Sequence, residues 1–93
     1  MVVALLSIEL HLPGSRSLKD KRMVLRGIKD RLRKFNIAVA EVDHHDLWQR
    51  AGLGVVTIST ANAHADRELA AVVAEIERLE PGAITRTEVE YLT

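Results

Sequence analysis

From Val2 to Leu12 apolar side chains fall on every second position. Val2, Ala4, Leu6, Ile8, Leu10 and Leu12 share one parity, and Val3, Leu5, Ser7, Glu9 and His11 the other. A period of two is that of a half-buried strand, so the first set predicts a core face and the second a semi-polar open face. Pro13 and Gly14 end the strand, and Ser15 or Ser17 stands where a helix cap is needed. Ser17 followed by Asp20 is a weaker version of the capping box, with Asp in place of Glu. Leu18, Val24, Leu25, Ile28, Leu32 and Phe35 then recur at three- and four-residue intervals, which predicts a first helix reaching about Lys34. Gly27 lies inside it at a cost of about 1 kcal/mol against Ala, so tertiary packing is expected to support it.

Asn36 ends that helix, and Ile37 to Asp43 reads as a second strand. His44 to Arg50 is a polar connection carrying the only Trp, and Leu53 to Thr60 is a third strand rich in Val, Ile and Thr. So short a connection predicts an antiparallel hairpin. Asn62 is expected to cap a second helix with Leu69, Val72, Val73, Ile76 and Leu79 as its buried stripe, stopped by Pro81 and Gly82. Ile84 to Leu92 alternates small or apolar with charged residues, as an edge strand does.

The order β-α-β-β-α-β is that of the ferredoxin-like α+β fold. It predicts a single domain over residues 1–93, with a four-stranded antiparallel sheet, strands one and three central and two helices on one face. The open face is expected to show Val3, Leu5 and Val55 with Ser7, Thr57 and Ser59. That is apolar enough for a partner or a second copy, against the plainer reading of an ordinary exposed face.

Composition narrows the function classes. A chain of 93 residues can build one modest core, which excludes a multidomain enzyme. The absence of Cys excludes a disulfide scaffold, a thiolate metal site and a Cys nucleophile. The longest run without Asp, Glu, Lys or Arg, Ala51 to Ala65, is too short and polar to span a bilayer. The start, Met1 to Leu6, has neither a basic region nor a cleavage site, so a cytoplasmic protein is expected.

The formal net charge of zero conceals a strong segregation. Arg16 to Lys34 holds nine of the 13 basic residues and only Asp20 and Asp30, a balance of +7 that leaves −7 on the rest. Segregation of this kind can build a basic face on a neutral protein. Arg22, Arg26, Lys29 and Arg33, spaced i, i+4, i+7, i+11, form one row away from the apolar stripe, and Lys19 extends it. Aligned cations can track a phosphate backbone. The competing reading is a solvated face, or pairing with Asp66, Glu68, Glu75, Glu77 and Glu80 of the second helix.

The central strands carry no aromatics for base stacking, so RNA binding is expected to use shape and phosphate contacts, or double-stranded RNA, more than base readout. Trp48 is expected to anchor the hairpin loop onto the domain or onto a subunit interface, with stacking as the alternative. Glu41, Asp43, His44, His45 and Asp46 form the most site-like cluster, but their spacing is no known ligand signature, and hydrogen-bonded hairpin residues are the expectation. Lys21 falls within the apolar stripe, where its stem can snorkel or its ammonium can meet Glu9 or Glu41. No catalytic residue, metal site or cofactor is assigned.

Two stretches are familiar. Ser17-Leu18-Lys19-Asp20-Lys21-Arg22, and Phe35 to His44 followed by Asp46-Leu47-Trp48-Gln49-Arg50-Ala51, resemble the YlxP-like family of small bacterial domains of unknown function. His45 stands where that family is expected to have Gln. The resemblance implies a ferredoxin-like fold and a genomic neighbourhood shared with translation and ribosome-maturation genes, and it supplies no reaction or catalytic residue. The leading expectation is a non-catalytic module contacting RNA or ribosomal components through Lys19, Arg22, Arg26, Lys29 and Arg33. Second comes a structural or regulatory homo-oligomer joined at the open face or an edge strand, and third a metal-dependent hydrolase at the Glu41 to Asp46 cluster.

Overall fold

The computed structural model describes residues 1–93. Its elements are β1 (Val2–His11), α1 (Leu18–Leu32), β2 (Ala38–Asp43), β3 (Arg50–Ser59), α2 (Asn62–Leu79) and β4 (Ile84–Tyr91). All strand pairings are antiparallel, and the order β2-β3-β1-β4 puts β1 and β3 in the centre. This is the ferredoxin-like arrangement. Leu25, Ile28 and Leu32 of α1 join Leu69, Val72 and Ile76 of α2 against Leu6, Ile8, Leu53 and Val55 in one buried cluster, so both helices cover the same sheet face. No helix is long and apolar enough to cross a membrane.

The alternation of β1 holds: Ala4, Leu6, Ile8 and Leu10 are buried beneath the helices. On β3 the expected faces are exchanged. Residues directly opposed in an antiparallel ladder share a face, and the register sets Leu5 against Val56, Ser7 against Gly54 and Glu9 against Gly52. Val55 therefore lies opposite Leu6, 0% exposed, and is a core residue rather than part of the open face. Thr57 is buried with it, its hydroxyl donating to Asn36 O at 2.7 Å. The open face consists of Val3 and Leu5 with Val56 and Ile58, continued by Ala38 and Ala40 of β2. Residues 53–60 are apolar on both parities, so alternation alone does not choose a face, and pairing with β1 decides it.

Ser17 caps α1 as expected, its Oγ accepting from the Asp20 N–H at 3.0 Å. Asp20 Oδ2 in turn accepts from the Arg16 N–H at 3.0 Å, completing a capping box displaced by one residue. The helix ends at Leu32, short of Lys34, where the Phe35 N–H turns back to Leu32 O at 3.0 Å. Asn62 is the first residue of α2, and the cap position belongs to Ala61, which has no side chain to offer. Gly27 is exposed with open space where a Cβ would stand, so no packing contact supports it, contrary to expectation.

Candidate nucleic-acid interface

Helical period and burial together fix which side of α1 meets solvent. The inward stripe is Lys21, Leu25, Ile28 and Leu32; Lys19, Arg22, Arg26 and Arg33 are exposed and Lys29 half-buried. Arg33, the C-cap of α1, pairs with Asp30 of its last turn at 3.2 Å, whereas Lys19, Arg22, Arg26 and Lys29 take part in no ion pair. The acids of α2 leave the row alone. Only Lys34, off the row, crosses to α2, where it and Arg78 enclose Glu75. Hydrogen bonds from Lys34 and Arg78 hold the Glu75 carboxyl below its usual pKa.

Arg22, Arg26, Lys29 and Arg33 line a groove of about 280 Å³ together with Leu25, Asp30 and Glu41 of edge strand β2. Glu41 adds little repulsion for an anion there, because its Oε2 is 2.8 Å from Lys21 Nζ. Lys19 also sits in the first turn of α1, at the positive end of the helix dipole, where a cation is electrostatically disfavoured.

Lys21, at 1% exposure, is the most completely buried charge in the molecule. Besides Glu41 it donates to the carbonyl oxygens of His44 at 2.8 Å, His45 at 3.2 Å and Arg50 at 3.3 Å. Of the two expected carboxylate partners, Glu41 is the one it meets. Glu41 Oε2 is buried and accepts no hydrogen bond, and its charge is met by that ammonium as an ion pair.

The candidate cluster at the hairpin end divides. Glu41 turns under α1, and His45 Nε2 lies 3.0 Å from the Glu41 carbonyl. A β-bulge between Glu41 and Asp43 and a left-handed φ of 61° at His44 swing Asp43 and His44 to the open face. There His44 Nε2 lies 3.0 Å from Glu9 Oε2, and Asp43 Oδ1 accepts from the His44 N–H at 2.8 Å. Glu9, Asp43 and His44 thus present ligand-type atoms within 4.8 Å of one another. The Arg50 guanidinium stands 3.4 Å from His44 Nε2 and 3.8 Å from Glu9 Oε2. A cation already occupies the approach to the nitrogen a metal would use, so the group is best described as an ion-pair network tying β1 to the hairpin. The contact of Glu9 with His44 joins residues 35 apart, which no local pattern links, whereas Arg50 stands only six residues from His44 in the same connection.

The topology and this surface define a small ferredoxin-like α+β domain with a cationic helix beside an edge strand. Residues 3–89 match the family described as protein of unknown function, DUF503, and the chain belongs to that family. It is similar to the uncharacterized protein YlxP of Bacillus subtilis (strain 168), 40% identical over 79 residues, covering 77% of this chain and 82% of the relative. Among solved structures it resembles the de novo designed protein Foldit4, with a TM-score of 0.54 at 14% identity, covering 99% of this chain and 96% of the other; that likeness concerns the fold alone.

Proposed function

We propose that this protein is a cytoplasmic, non-catalytic binding module that contacts RNA, free or within a ribosomal assembly, through Lys19, Arg22, Arg26, Lys29 and Arg33. One observation carries the reading: four of these five cations stand unpaired on one side of α1, although the rest of the chain carries a balance of −7. A structural helix surface intersperses both signs. Here Lys19 also opposes the helix dipole, which stability alone does not favour. The acidic remainder would restrict a polyanion to this groove.

If about four of the cations meet phosphates of a single strand, log affinity falls with log salt at a slope near about −3. A gel shift with short RNAs tests this. Charge reversal of Arg26 and Arg33 together abolishes the shift, and unchanged binding by that double variant removes the proposal.

A second reading, a homo-oligomer, is favoured by one feature. Val42 and Ile58, 59% and 57% exposed, leave apolar surface uncovered on the sheet side. Light scattering at tens of micromolar decides it, and a monomeric mass counts against it.

A further inference from the structure

We infer that the two free edges of the sheet join head to tail between copies of this chain, the cation row of α1 in one copy meeting an acidic flank of α2 in the next. This rests on the homo-oligomer reading above and moves its joint from the open face to the edges. β2 and β4 end the sheet, each paired on one side only, and an unpaired edge is a template for another strand. The cation row lies over the β2 edge, since Arg22, Arg26, Lys29 and Arg33 line one groove with Glu41. Over the β4 edge the outer flank of α2 carries Asp66 and Glu77. Tyr91 Oη donates to Asp66, and Glu77 Oε2 accepts from the Gly82 N–H, just before β4, at 3.4 Å. Ala70 and Val73 stand between the two acids at the same helical phase, and no cation interrupts the row. Both acids are exposed, and neither takes part in an ion pair.

The two edges match in direction and spacing as well as in charge. β1 and β2 run one way and β3 and β4 the other, so a copy displaced across the sheet sets its β2 antiparallel to the β4 of its neighbour. α1 returns from β1 to β2 and α2 from β3 to β4, so the helices are antiparallel too, with Arg33 and Asp66 at one end of the molecule and Arg22 and Glu77 at the other. Arg22 to Arg33 and Asp66 to Glu77 each span eleven residues, about 16 Å of helix. The displacement therefore brings Arg33 to Asp66 and Arg22 to Glu77. Four strands are about 19 Å wide and two packed helices about 20 Å, so the helix layer closes along with the sheet. Val89 and Tyr91 face that layer, opposed to buried Leu6 and Ala4, yet are 47% and 40% exposed, and the neighbour's α1 is the cover they lack. Trp48, 54% exposed in the connection beyond the end of β2, is likewise no anchor onto its own domain, and the new ladder does not reach it. Like edges repel, because β2 on β2 sets two cation rows together and β4 on β4 two acidic flanks. Joining unlike edges is heterologous, so assembly continues past two copies into a ring or a fibre.

RNA on the cation row would compete with the neighbour, so the whole protein is first freed of nucleic acid and then followed by light scattering at tens of micromolar and low salt. The mass is expected to exceed two chains of 10.4 kDa, to rise with concentration and to fall to one chain at about 0.5 M salt. Asp66→Arg with Glu77→Arg, and separately Arg22→Glu with Arg33→Glu, should each be monomeric with the circular dichroism of the parent. Mixing the two double variants should restore assembly, because each carries the charges the other has lost. The single exposed change Glu77→Arg should weaken association about tenfold, so the test does not depend on the double variants folding. A parent of one chain at every concentration overturns this inference and the homo-oligomer reading together. An oligomer that stops at two chains, or that both double variants retain, places the joint on the open face, where Ile58→Glu dissolves it, and overturns this inference alone. Folded double variants that stay monomeric when mixed overturn it as well.

Discussion

The ammonium of Lys21 lies 2.8 Å from Glu41 Oε2 and 2.8 Å from the carbonyl oxygen of His44, joining α1 to β2 and to the loop beyond it. With His45 O and Arg50 O it has four oxygen partners for three protons, which is how a charge at 1% exposure is tolerated. Removing the cation strands a carboxylate and three carbonyls. Lys21→Met is therefore expected to cost about 3 to 5 kcal/mol in urea unfolding. Glu41→Gln leaves the ammonium its carbonyls and should cost less, about 1 to 3 kcal/mol. Equal losses from the two variants would show that the carbonyl contacts contribute nothing.

Gly27 presents the opposite case. It lies inside α1 with open space where a Cβ would stand, so the substitution Gly27→Ala meets no clash and relieves an unfavourable helix position. Stability should rise by about 1 kcal/mol, or about 4 to 8 °C in Tm for a domain of this size. A calorimetric scan checks this, and no gain would contradict the open, clash-free helix position assigned to Gly27.

Local periodicity made much of this molecule legible in the sequence, and long-range pairing accounts for what it concealed. Ile8 and Leu10 alternate with Ser7, Glu9 and His11, so the inward face of β1 is readable from the second half of β1 alone. Val55 and Val56 are both apolar, and only the register against Leu6 and Leu5 tells core from open face. The cation row is largely a property of one helix and its phase was readable, but the pairing of Arg33 with Asp30 at the end of the helix was not. Lys21 was half readable: its phase announced burial, and Glu41 was a named partner, but the three carbonyls depend on a loop whose path is set by a bulge and by the left-handed His44. The contact of Glu9 with His44 joins residues 35 apart and has no local signal.

Two glycines of β3 should respond differently to the same change. A Cβ on Gly52 would stand 2.8 Å from Asp43 Cβ and 3.5 Å from Asp43 backbone atoms, at the bulge that directs the hairpin end. Gly52→Ala must displace that backbone and is expected to cost about 1 to 3 kcal/mol. At Gly54 the nearest atom is Val42 Cγ1 at 3.2 Å, the end of an exposed side chain that can rotate away. Gly54→Ala should stay within about 0.5 kcal/mol of the parent. Denaturant midpoints measure both, and the reverse ranking would contradict the bulge as the tighter site.

Glu75 sets the expected response to acid. Lys34 and Arg78 hydrogen-bond to its carboxylate and hold the folded pKa below the ordinary value of 4.5. The unfolded chain therefore takes up the proton first as pH falls. The stabilisation is fully present above the unfolded pKa and is lost as pH falls through the lower folded one. Glu75→Gln removes this titration. The gap in Tm between parent and variant should be constant at about pH 6 and above, then shrink steadily toward about pH 3. A gap of the same size across that whole range would mean that the buried end of α2 is held by packing and not by the Lys34 to Glu75 contact. In that case Lys34 would be as free as the cations of the α1 row.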